Sequence, residues 1–479
     1  MSRRIVPFVV VLGFWSIQLG CAARPAFAPT RPPDPAVVKQ NAEAFWAAAR
    51  KGPQDQHVRQ LLQSGDFTAL EKELDGFQRD YEAGKSNEYV LFQATHPFVH
   101  ADLQPTIERW IAMHPHAWQA LAARGISRAA AGYRARGTKA TSETLPAQLD
   151  AMRQLFALAV PDLRAALSER PRFLPAYARL IDIAQMLGDE QGAKAALEDA
   201  VRQDPNTFQV RDTYMTGLEP RWGGSWAAMD AFARQAQTHA SANPQLVLLL
   251  GNSPAARASD RELQKDYRGA IELYSQALQF GPRPSLLVAR ANVYVKLSQY
   301  HEVLSDLDEA LRYDPNEADW LISHAWCLRQ IGQPDAAMRD YARAVEIAPD
   351  NSRIVLAYGR ALYLSRRFGD EAALYERFLA NHPRDDQVLE QLGTLYLAPL
   401  RKLPEARDVL ARLVIVAPGR ASAWRAYGTV LRELGDPRAR PVFARYLQLV
   451  DPKDPIESTL SRGIRQWLGP DAPPAAMPH

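Results

Sequence analysis

Cysteine is nearly absent from this sequence of 479 residues, which contains only Cys21 and Cys327. Two cysteines cannot form the disulfide framework that holds many small secreted domains together. An excess of one charge is also missing, because 57 basic residues are balanced by 54 acidic residues and the net charge is +3. Binding to phosphate backbones needs a clustered basic surface. The composition therefore gives no reason to expect a nucleic-acid partner.

Short catalytic and cofactor motifs are missing as well. The sequence has no HExxH, no paired CxxC, no GxSxG, no phosphate-binding glycine loop and no dinucleotide fingerprint. Half of the ten histidines are close together in sequence, but no metal-binding pattern accompanies them: His57, His96, His100, His114 and His116. Cys327 follows Trp326 and is predicted to be a packed side chain rather than a reactive thiol. We expect no metal, no cofactor and no catalytic residue.

Long apolar runs are confined to the N-terminus. Arg3 and Arg4 precede an almost unbroken apolar stretch over residues 5–19. A stretch of about 15 residues is shorter than the roughly 20 that span a bilayer. A basic start followed by such a run is typical of a secretory signal peptide. We therefore predict that the chain is exported.

The residues at the end of this apolar run indicate how the exported chain is attached to the membrane. Residues 19–22, Leu-Gly-Cys-Ala, resemble the lipobox of bacterial lipoproteins, although Gln18 stands where that family usually has leucine. In the family the cysteine becomes the lipidated first residue. The resemblance implies a signal peptide over residues 1–21, lipidation of Cys21, and a membrane-anchored protein facing the periplasm.

Two other outcomes remain open. One is ordinary cleavage after Ala28, which Pro29 disfavours and which gives a soluble periplasmic or secreted protein. The other is an uncleaved anchor. In the lipidated form residues 22–35, which contain five prolines, are predicted to be a linker. Proline-rich chain extends about 3.1 Å per residue, so this linker would hold the body roughly 40 Å from the membrane.

Proline recurs at a regular interval through the rest of the chain. Ten prolines mark this ladder: 115, 171, 205, 244, 282, 315, 349, 383, 418 and 452. Six of the nine intervals lie within one residue of 34, which is the period of the tetratricopeptide repeat, a helix–turn–helix unit. Regular spacing of this kind predicts a repeat array rather than one central core.

Small and large residues alternate inside each interval as packed helix pairs require. Between Pro284 and Pro315 the small residues are Ala291 and Ala310, and the large ones include Leu307. The pattern resembles the tetratricopeptide-repeat family. That resemblance implies an all-α fold, an α-solenoid of stacked antiparallel helix pairs. We expect the array over residues 246–452, a capping helix over 453–468 and a disordered tail over 469–479.

The N-terminal half is predicted to be a helical domain over residues 36–245 that contains similar pairs. Pro115 and Pro171 are 56 residues apart, which predicts two unusually long helices. A loop over 134–144 would join them, with Ser142 or Thr144 capping the second helix.

A second resemblance covers residues 58–245. It depends on Trp110, on Ala-Arg-Gly at 123–125, on Tyr-Arg-Ala-Arg-Gly at 133–137 and on Pro-Arg-Trp-Gly-Gly-Ser at 220–225. These features resemble the bacterial domain of unknown function 4034, to which no activity is assigned.

The 220–225 segment has two interpretations. Its paired glycines permit a sharp bend, and Ser225 is placed to cap a helix that starts at Trp226. The segment is therefore either a turn with its tryptophans packed inward, or a second surface on which Arg221 and Trp222 face a ligand.

The resemblance to tetratricopeptide repeats also implies a concave groove lined by the first helix of each pair. Carried over, the family's groove positions are Asn292, Lys296, Asp319, Trp326, Arg329, Arg353, Arg360, Tyr363, Glu390, Thr394, Arg425, Arg432 and Glu433. Six are basic and three acidic, so the groove is predicted to be mildly basic and to bind an acidic peptide or protein segment. The alternative is that they form ordinary solvated helix faces.

One known binding mode does not fit the sequence. Some members of the family bind a C-terminal carboxylate, and here Asn292 and Arg353 would match two of the required positions. Val288, Ser323 and Ala357 occupy the others, which excludes that mode.

Together these features predict a protein–protein interaction scaffold of the bacterial cell envelope. The alternative from another class is a cell-wall hydrolase or carbohydrate-binding factor that uses the N-terminal domain.

Overall fold

All regular secondary structure in the described part of the chain is helical. The computed structural model describes residue 40 and residues 55–138, 143–450 and 455–469. Within these ranges the chain forms 23 α-helices and several short 3-10 segments, with no strand. The prediction of an all-α solenoid is confirmed. The predicted signal peptide with Cys21, the proline-rich linker, Ser142 and the tail beyond Gly469 lie outside the described residues.

Ten helices form the N-terminal half. They are α1 (Asp55–Ser64), α2 (Phe67–Glu82), α3 (Tyr89–Thr95), α4 (Gln104–Met113), α5 (Trp118–Arg136), α6 (Pro146–Glu169), α7 (Leu174–Leu187), α8 (Glu190–Gln203), α9 (Gln209–Gly217) and α10 (Trp226–Ala236). Short 3-10 segments interrupt them, and one of these, Pro244–Gly251, leads into the array.

Thirteen helices follow. They are α11 (Asn252–Leu263), α12 (Tyr267–Leu278), α13 (Pro284–Lys296), α14 (Tyr300–Tyr313), α15 (Ala318–Gln330), α16 (Pro334–Ile347), α17 (Ser352–Leu364), α18 (Phe368–Asn381), α19 (Asp386–Leu397), α20 (Leu403–Val416), α21 (Ala421–Glu433), α22 (Ala439–Leu449) and α23 (Pro455–Leu468). From α11 to α22 the helices form six antiparallel pairs, and each pair packs against the next. Across the described ranges, no helix combines the length and apolarity needed to cross a membrane.

Small residues allow the two helices of a pair to approach closely. A Cβ atom on Gly393 would lie 2.5 Å from Leu410 Cδ2, and one on Gly428 would lie 2.7 Å from the Phe443 ring. Real Cβ contacts are not that short, so only glycine permits these approaches. The alternation of small and large residues therefore sets how the first helix of a pair contacts the second.

The turn inside each pair passes through the left-handed backbone region once. The residue in this conformation recurs every 33 to 35 positions: Lys265, Ser298, Gly332, Arg366, Arg401 and Gly435. Glycine adopts positive φ without a steric penalty, whereas a side chain disfavours it. Two of the six turns therefore have glycine at this position, and the other four have lysine, serine or arginine, whose side chains disfavour positive φ.

The two long helices predicted for the N-terminal half are present, since α5 has 19 residues and α6 has 24. The loop predicted over 134–144 is wrong at its start, because α5 continues to Arg136. Alanine and arginine favour helix strongly, so the Arg-Ala-Arg run extends α5. Capping by Thr144 is also wrong. Leu145 is the N-cap residue, its backbone N–H donates to Gln148 Oε1 over 3.3 Å, and Thr144 is buried.

Polar contacts connect the N-terminal half to the array. Asp212 on α9 accepts hydrogen bonds from Arg283 Nη2 at 2.8 Å and from Asn252 Nδ2 at 2.7 Å. Tyr89 on α3 lies near the turn between α14 and α15. Its burial, and then the charge of Asp314, raise its pKa to about 12. The N-terminal half therefore contacts the array through Asp212, and the charge of Asp314 acts on Tyr89.

The last helix covers the end of the array. Ile464 and Leu468 on α23 are buried against Phe443, Tyr446 and Leu447 of α22. A solenoid needs such a terminal element because its final repeat otherwise exposes an apolar face.

Candidate binding groove

The first helices of three successive repeats form one wall of the candidate groove. Asn292 on α13, Trp326 on α15 and Arg360 on α17 are each 34 residues apart. They therefore occupy the same position in consecutive repeats, and an amide, an aromatic ring and a cation follow one another along the groove.

A cavity of about 510 Å³ opens between these helices. Its floor includes Val303 and Leu307 of α14 and Tyr341 of α16, which belong to the second helices of their pairs. The other lining residues come from the first helices: Ala291, Asn292, Val295, Ile322, Ser323, Trp326, Arg329, Gln330, Ala357, Arg360 and Leu364. Cavities of this size accommodate several side chains of a ligand.

The lining is cationic, since it includes Arg329 and Arg360 and no acidic side chain among the described residues. Arg329 lies close to the hydroxyl of Tyr341, whose pKa is raised by burial against the opposing effect of Arg329. Arg360 is exposed and forms no ion pair within the described ranges. A carboxylate entering the cavity would therefore meet two guanidinium groups and no competing acid.

Trp326 is the aromatic side chain at the centre of the groove, and 38% of it is exposed. The Tyr300 ring contacts it edge-on, with the ring centroids 5.8 Å apart. The adjacent residue, Cys327, points into the core and is fully buried. Burial raises the pKa of its thiol to about 11, so the thiol stays protonated at neutral pH, as expected for a packed side chain.

Of the thirteen positions proposed for the groove, four line the cavity: Asn292, Trp326, Arg329 and Arg360. Lys296 and Tyr363 lie on the same helices but outside the cavity lining, and Tyr363 packs against Phe368 with ring centroids 5.4 Å apart. Arg353 forms an ion pair with Asp319.

The two remaining arginines, Arg425 and Arg432, are on α21, far along the array from the cavity. Arg432 lies over the Phe443 ring at 5.7 Å. Cross-repeat pairs occupy this part of the groove. Arg420, which precedes α21, and Ser422 of α21 donate to Glu390 of α19 over 2.8 and 2.6 Å.

Sequence reasoning missed the apolar floor. The floor residues lie on second helices, whereas the family positions carried over lie on first helices. Val303 and Leu307 had a detectable signal, because they repeat on one face of α14, but the same signal is typical of ordinary core residues.

The second predicted surface lies on a 3-10 turn, Pro220–Trp222. Trp222 is 47% exposed, so the interpretation in which the tryptophans pack inward does not hold for this residue. Trp226 is partly buried beneath Arg257 at 5.3 Å, and Ser225 caps α10 as predicted, with its Oγ 3.1 Å from the Ala228 N–H. Arg221 forms an ion pair with Glu219.

Four of the five N-terminal histidines contact other side chains of the fold, His57, His96, His100 and His114, and His116 is exposed. His114 Nδ1 lies 2.8 Å from Glu71 Oε1, the same atom that accepts a hydrogen bond from the buried Trp110 indole. His96 begins the short 3-10 segment His96–Val99 and His100 follows it, and their rings contact edge-on with centroids 5.4 Å apart. No group of three or more potential metal ligands occurs in the part of the chain that the structure describes.

A comparison with known protein families agrees with the arrangement of the helices in repeated pairs. Residues 288–352 and 328–386 match the tetratricopeptide-repeat family model. The chain contains tetratricopeptide repeats. The cavity lies within this tetratricopeptide-repeat segment, because its lining extends from Ala291 to Leu364.

Curated relatives match only part of the chain. Serine/threonine-protein phosphatase 5 of Rattus norvegicus is 26% identical over 137 residues, 28% of this chain and 26% of that protein. The DnaJ homolog subfamily C member 7 homolog of Dictyostelium discoideum is 28% identical over 95 residues, 19% of this chain and 18% of that protein. The chain therefore spans about a quarter or less of the length of these relatives.

Several solved structures resemble this chain, but with low TM-scores. PilW, described as a type IV pilus biogenesis factor, is 20% identical and has a TM-score of 0.35, with 44% of this chain and 98% of that chain covered. A tetratricopeptide repeat protein from Parabacteroides merdae is 16% identical and has a TM-score of 0.32, with 61% and 98% covered. Such scores carry no functional argument.

Proposed function

We propose that this protein is an interaction scaffold whose concave tetratricopeptide-repeat groove binds a protein or peptide segment. The observation that carries the proposal is the open cavity across α13, α15 and α17, in which the Trp326 side chain is accessible. Tryptophan and arginine are the side chains that contribute most often to binding energy at protein interfaces. Here the cavity offers one tryptophan and two arginines.

The charge of the cavity supports an acidic partner. Arg329 and Arg360 lie in the lining without a carboxylate beside them. A guanidinium group forms strong, geometrically specific hydrogen bonds with a carboxylate. A partner segment with acidic side chains would therefore gain interactions that a basic segment would not.

A catalytic or carbohydrate-binding role for the N-terminal domain has less support. That role needs polar side chains gathered around Trp222, His114 and His116. His114 instead contacts Glu71 in the N-terminal half, whereas Arg221, the neighbour of Trp222, forms an ion pair with Glu219. The members of the required cluster therefore belong to different parts of the fold.

The site of action that we propose is the bacterial cell envelope. The lipobox-like Cys21 and the proline-rich residues 22–35 would anchor the scaffold to the membrane, facing the periplasm. More than one acyl chain is needed for stable anchoring, and lipoprotein processing supplies more than one.

Site-specific crosslinking in intact envelopes tests the proposal. A photo-crosslinking amino acid at Gln330, which lines the cavity, is expected to capture a partner, whereas the same probe at the exposed Arg339 of α16, outside the lining, is not. The double variant Arg329→Glu/Arg360→Glu should abolish the adduct, because reversed charge repels an acidic segment. Retention of every adduct in the double variant would contradict the proposal.

A further inference from the structure

We infer that one edge of the array binds an anionic lipid surface, with basic side chains on the lipid phosphates and apolar side chains entering the headgroup layer. The edge, here named the turn edge, consists of the turns inside the last three helix pairs, over residues 363–367, 400–402 and 434–438. It shares Leu364 with the cavity lining and otherwise lies outside it, so the inference goes beyond the proposed function.

The turns inside the pairs lie along one side of the solenoid. The two helices of each pair are antiparallel, and each pair packs against the next. All first helices of the array therefore run in the same direction. The turns inside the pairs are consequently gathered on one side, and the loops between pairs are gathered on the opposite side.

The two sides differ in charge. The six turns inside the pairs contain two acidic residues and six basic ones: Lys265, Arg366, Arg367, Arg401, Lys402 and Arg438. The five loops between the pairs contain three basic residues and four acidic ones: Asp314, Glu317, Asp350 and Asp385. All of the turn cations except Lys265 belong to the turn edge. A cluster of this kind attracts an anionic surface.

Two of these cations are kept in an unfavourable backbone conformation. Arg366 and Arg401 have a φ of 56°, whereas Gly332 and Gly435 occupy the equivalent positions of two other pairs. A side chain at positive φ is disfavoured relative to glycine. Both arginines are exposed, so burial of the side chain does not compensate. Residues held in such conformations are concentrated at functional positions, and the exposed guanidinium group is the part that binding can use.

Neighbouring acids leave these cations available. Arg366 forms no ion pair within the described residues. Arg401 lies 2.7 Å from Glu433, and Arg367 lies 2.6 Å from Asp370, but both arginine side chains are more than half exposed, at 61% and 51%. Exposed ion pairs contribute little to stability. A lipid phosphate can therefore replace the carboxylate at a small free-energy cost.

Apolar side chains are exposed between the cations. Leu364 is 53% exposed, Tyr363 48% and Leu434 38%. A membrane interface offers phosphates above acyl chains, and long basic side chains reach the phosphates while their stems lie along apolar surface. An acidic protein would need an apolar group facing each of these three residues as well as carboxylates facing the cations, whereas a lipid surface provides both along its whole length.

This contact is distinct from anchoring at Cys21. Attraction between a few cations and an anionic surface is screened by salt. A wash at high salt therefore releases the turn edge, and membranes washed in this way keep the chain only through acyl chains at Cys21.

An environment-sensitive fluorescent probe tests the inference. The exported form, residues 21–479 with Cys21→Ser, carries no acyl chain and keeps every described residue. A nitrobenzoxadiazole probe, which brightens in apolar surroundings, is attached through Ser365→Cys on the turn edge or through Gly419→Cys on the opposite side. Gly419 is exposed, with nothing near its Cα hydrogens. Cys327 is fully buried and stays unlabelled.

The probe should respond at one position and to one kind of vesicle. Vesicles of phosphatidylglycerol and phosphatidylethanolamine in equal amounts should raise the emission from position 365 several-fold and leave that from position 419 unchanged. Vesicles of phosphatidylcholine alone, which carry no net charge, should raise neither.

Titration of the probe at position 365 with the anionic vesicles measures the contribution of the cations. Each cation near an anionic surface strengthens binding about fivefold, so Arg366→Gly/Arg401→Gly should weaken binding about thirtyfold. Glycine removes the strain of positive φ, so this variant should be at least as stable in urea as the natural protein, and its weaker binding cannot result from unfolding. Arg339→Ala/Arg377→Ala removes two exposed cations of α16 and α18 and should change the affinity less than about twofold.

The apolar contribution is tested without altering the cavity. Tyr363→Ser/Leu434→Ser changes two residues outside its lining and should weaken vesicle binding about tenfold, because less apolar surface leaves water. The binding that remains should be lost at high salt, since only charge contacts are left.

Four results would overturn the inference. They are a probe at position 365 that does not respond to anionic vesicles, an equal response to phosphatidylcholine, equal weakening by the two double arginine variants, and a photo-crosslinker at position 365 that attaches only to protein in intact envelopes. The last result would assign the turn edge to a protein partner, whereas attachment to phospholipid is expected. The proposed groove is tested separately by the probe at Gln330 and is unaffected by these outcomes.

Discussion

Glu88 and Thr207 are 119 positions apart in the sequence, yet the threonine hydroxyl donates a hydrogen bond to the buried Glu88 carboxylate at 2.6 Å. The same carboxylate accepts the backbone N–H groups of Phe208 and Gln209 at 2.5 and 3.2 Å. Glu88, the residue that precedes α3, therefore caps the start of α9. Burial raises the pKa of Glu88 to about 7, and the three donors oppose this rise by stabilising the charged form. The contact connects the start of α3 to the start of α9.

Removal of this cap should destabilise the protein. Glu88→Ala leaves three buried donors without an acceptor, and each such loss is unfavourable. We expect the free energy of unfolding to fall by about 2 kcal/mol or more, as measured by urea denaturation followed by circular dichroism. Glu272→Ala alters an exposed glutamate on α12 and should change it little. Equal stability of the two variants would contradict the capping role.

Much of the fold follows from local patterns. The proline ladder and the alternation of Ala291 with larger neighbours predict helix pairs, because each repeat folds from contacts near in sequence. Gly332 and Gly435 predict the turns at which they occur, since glycine tolerates positive φ. The positions of the groove helices follow from the same period.

Other features could not be predicted because they depend on distant contacts. The acceptor for the start of α9 is Glu88, which no pattern near residue 207 indicates. Arg353 resembles a ligand-binding arginine in the sequence, yet its charge is paired with Asp319 of the preceding repeat. Arg366 occupies a left-handed turn without any turn signal. Which cations stay available for a partner is decided by packing between repeats.

Glu371 should make stability depend on pH. This residue of α18 is only 3% exposed, and its Oε2 atom has no hydrogen-bond partner within the described residues. Burial raises its pKa from 4.5 to about 7, although a hydrogen bond with Tyr375 opposes the rise. The stability from the protonated carboxyl is fully present below pH 4.5 and is lost as pH rises to about 7, because only the unfolded chain ionises freely.

Glu371→Gln removes that dependence. Relative to the natural protein, the variant should gain little at pH 4.5 and about 3 kcal/mol at pH 8, the equivalent of the pKa shift. Denaturation curves recorded at several pH values measure this difference. Glu272→Gln serves as the control and should give a curve parallel to that of the natural protein. A constant difference for Glu371→Gln at every pH would show that the buried carboxyl does not titrate as described.

Arg366 offers a stabilising substitution. Its φ is 56° in the turn between α17 and α18, where Gly332 and Gly435 occupy the equivalent positions of other repeats. A side chain in this conformation is unfavourable by roughly 1–2 kcal/mol. Arg366→Gly should therefore stabilise the protein by about 1 kcal/mol, after allowance for the greater freedom of glycine in the unfolded chain.

The matched control for that substitution is Arg339→Gly. Arg339 lies in the middle of α16 and is exposed, and glycine inside a helix is unfavourable by about 1 kcal/mol relative to good helix formers. The two variants should change the midpoint of urea unfolding in opposite directions. A lower unfolding midpoint for both variants would show that the contacts of the Arg366 side chain stabilise the protein by more than its unfavourable backbone conformation destabilises it.

Cys21 provides the test of where the scaffold is held. If acyl chains are attached there, Cys21→Ser should lose incorporation of labelled palmitate and move from the membrane pellet to the soluble fraction of the envelope, because the anchoring free energy resides in the buried methylene groups. Cys327→Ser is the natural control, since that thiol is fully buried in the array and has no access to a lipid donor. It should keep both the label and the membrane location. A natural protein without label, or a Cys21→Ser variant that stays in the pellet, would leave the groove as proposed but remove the lipid anchor.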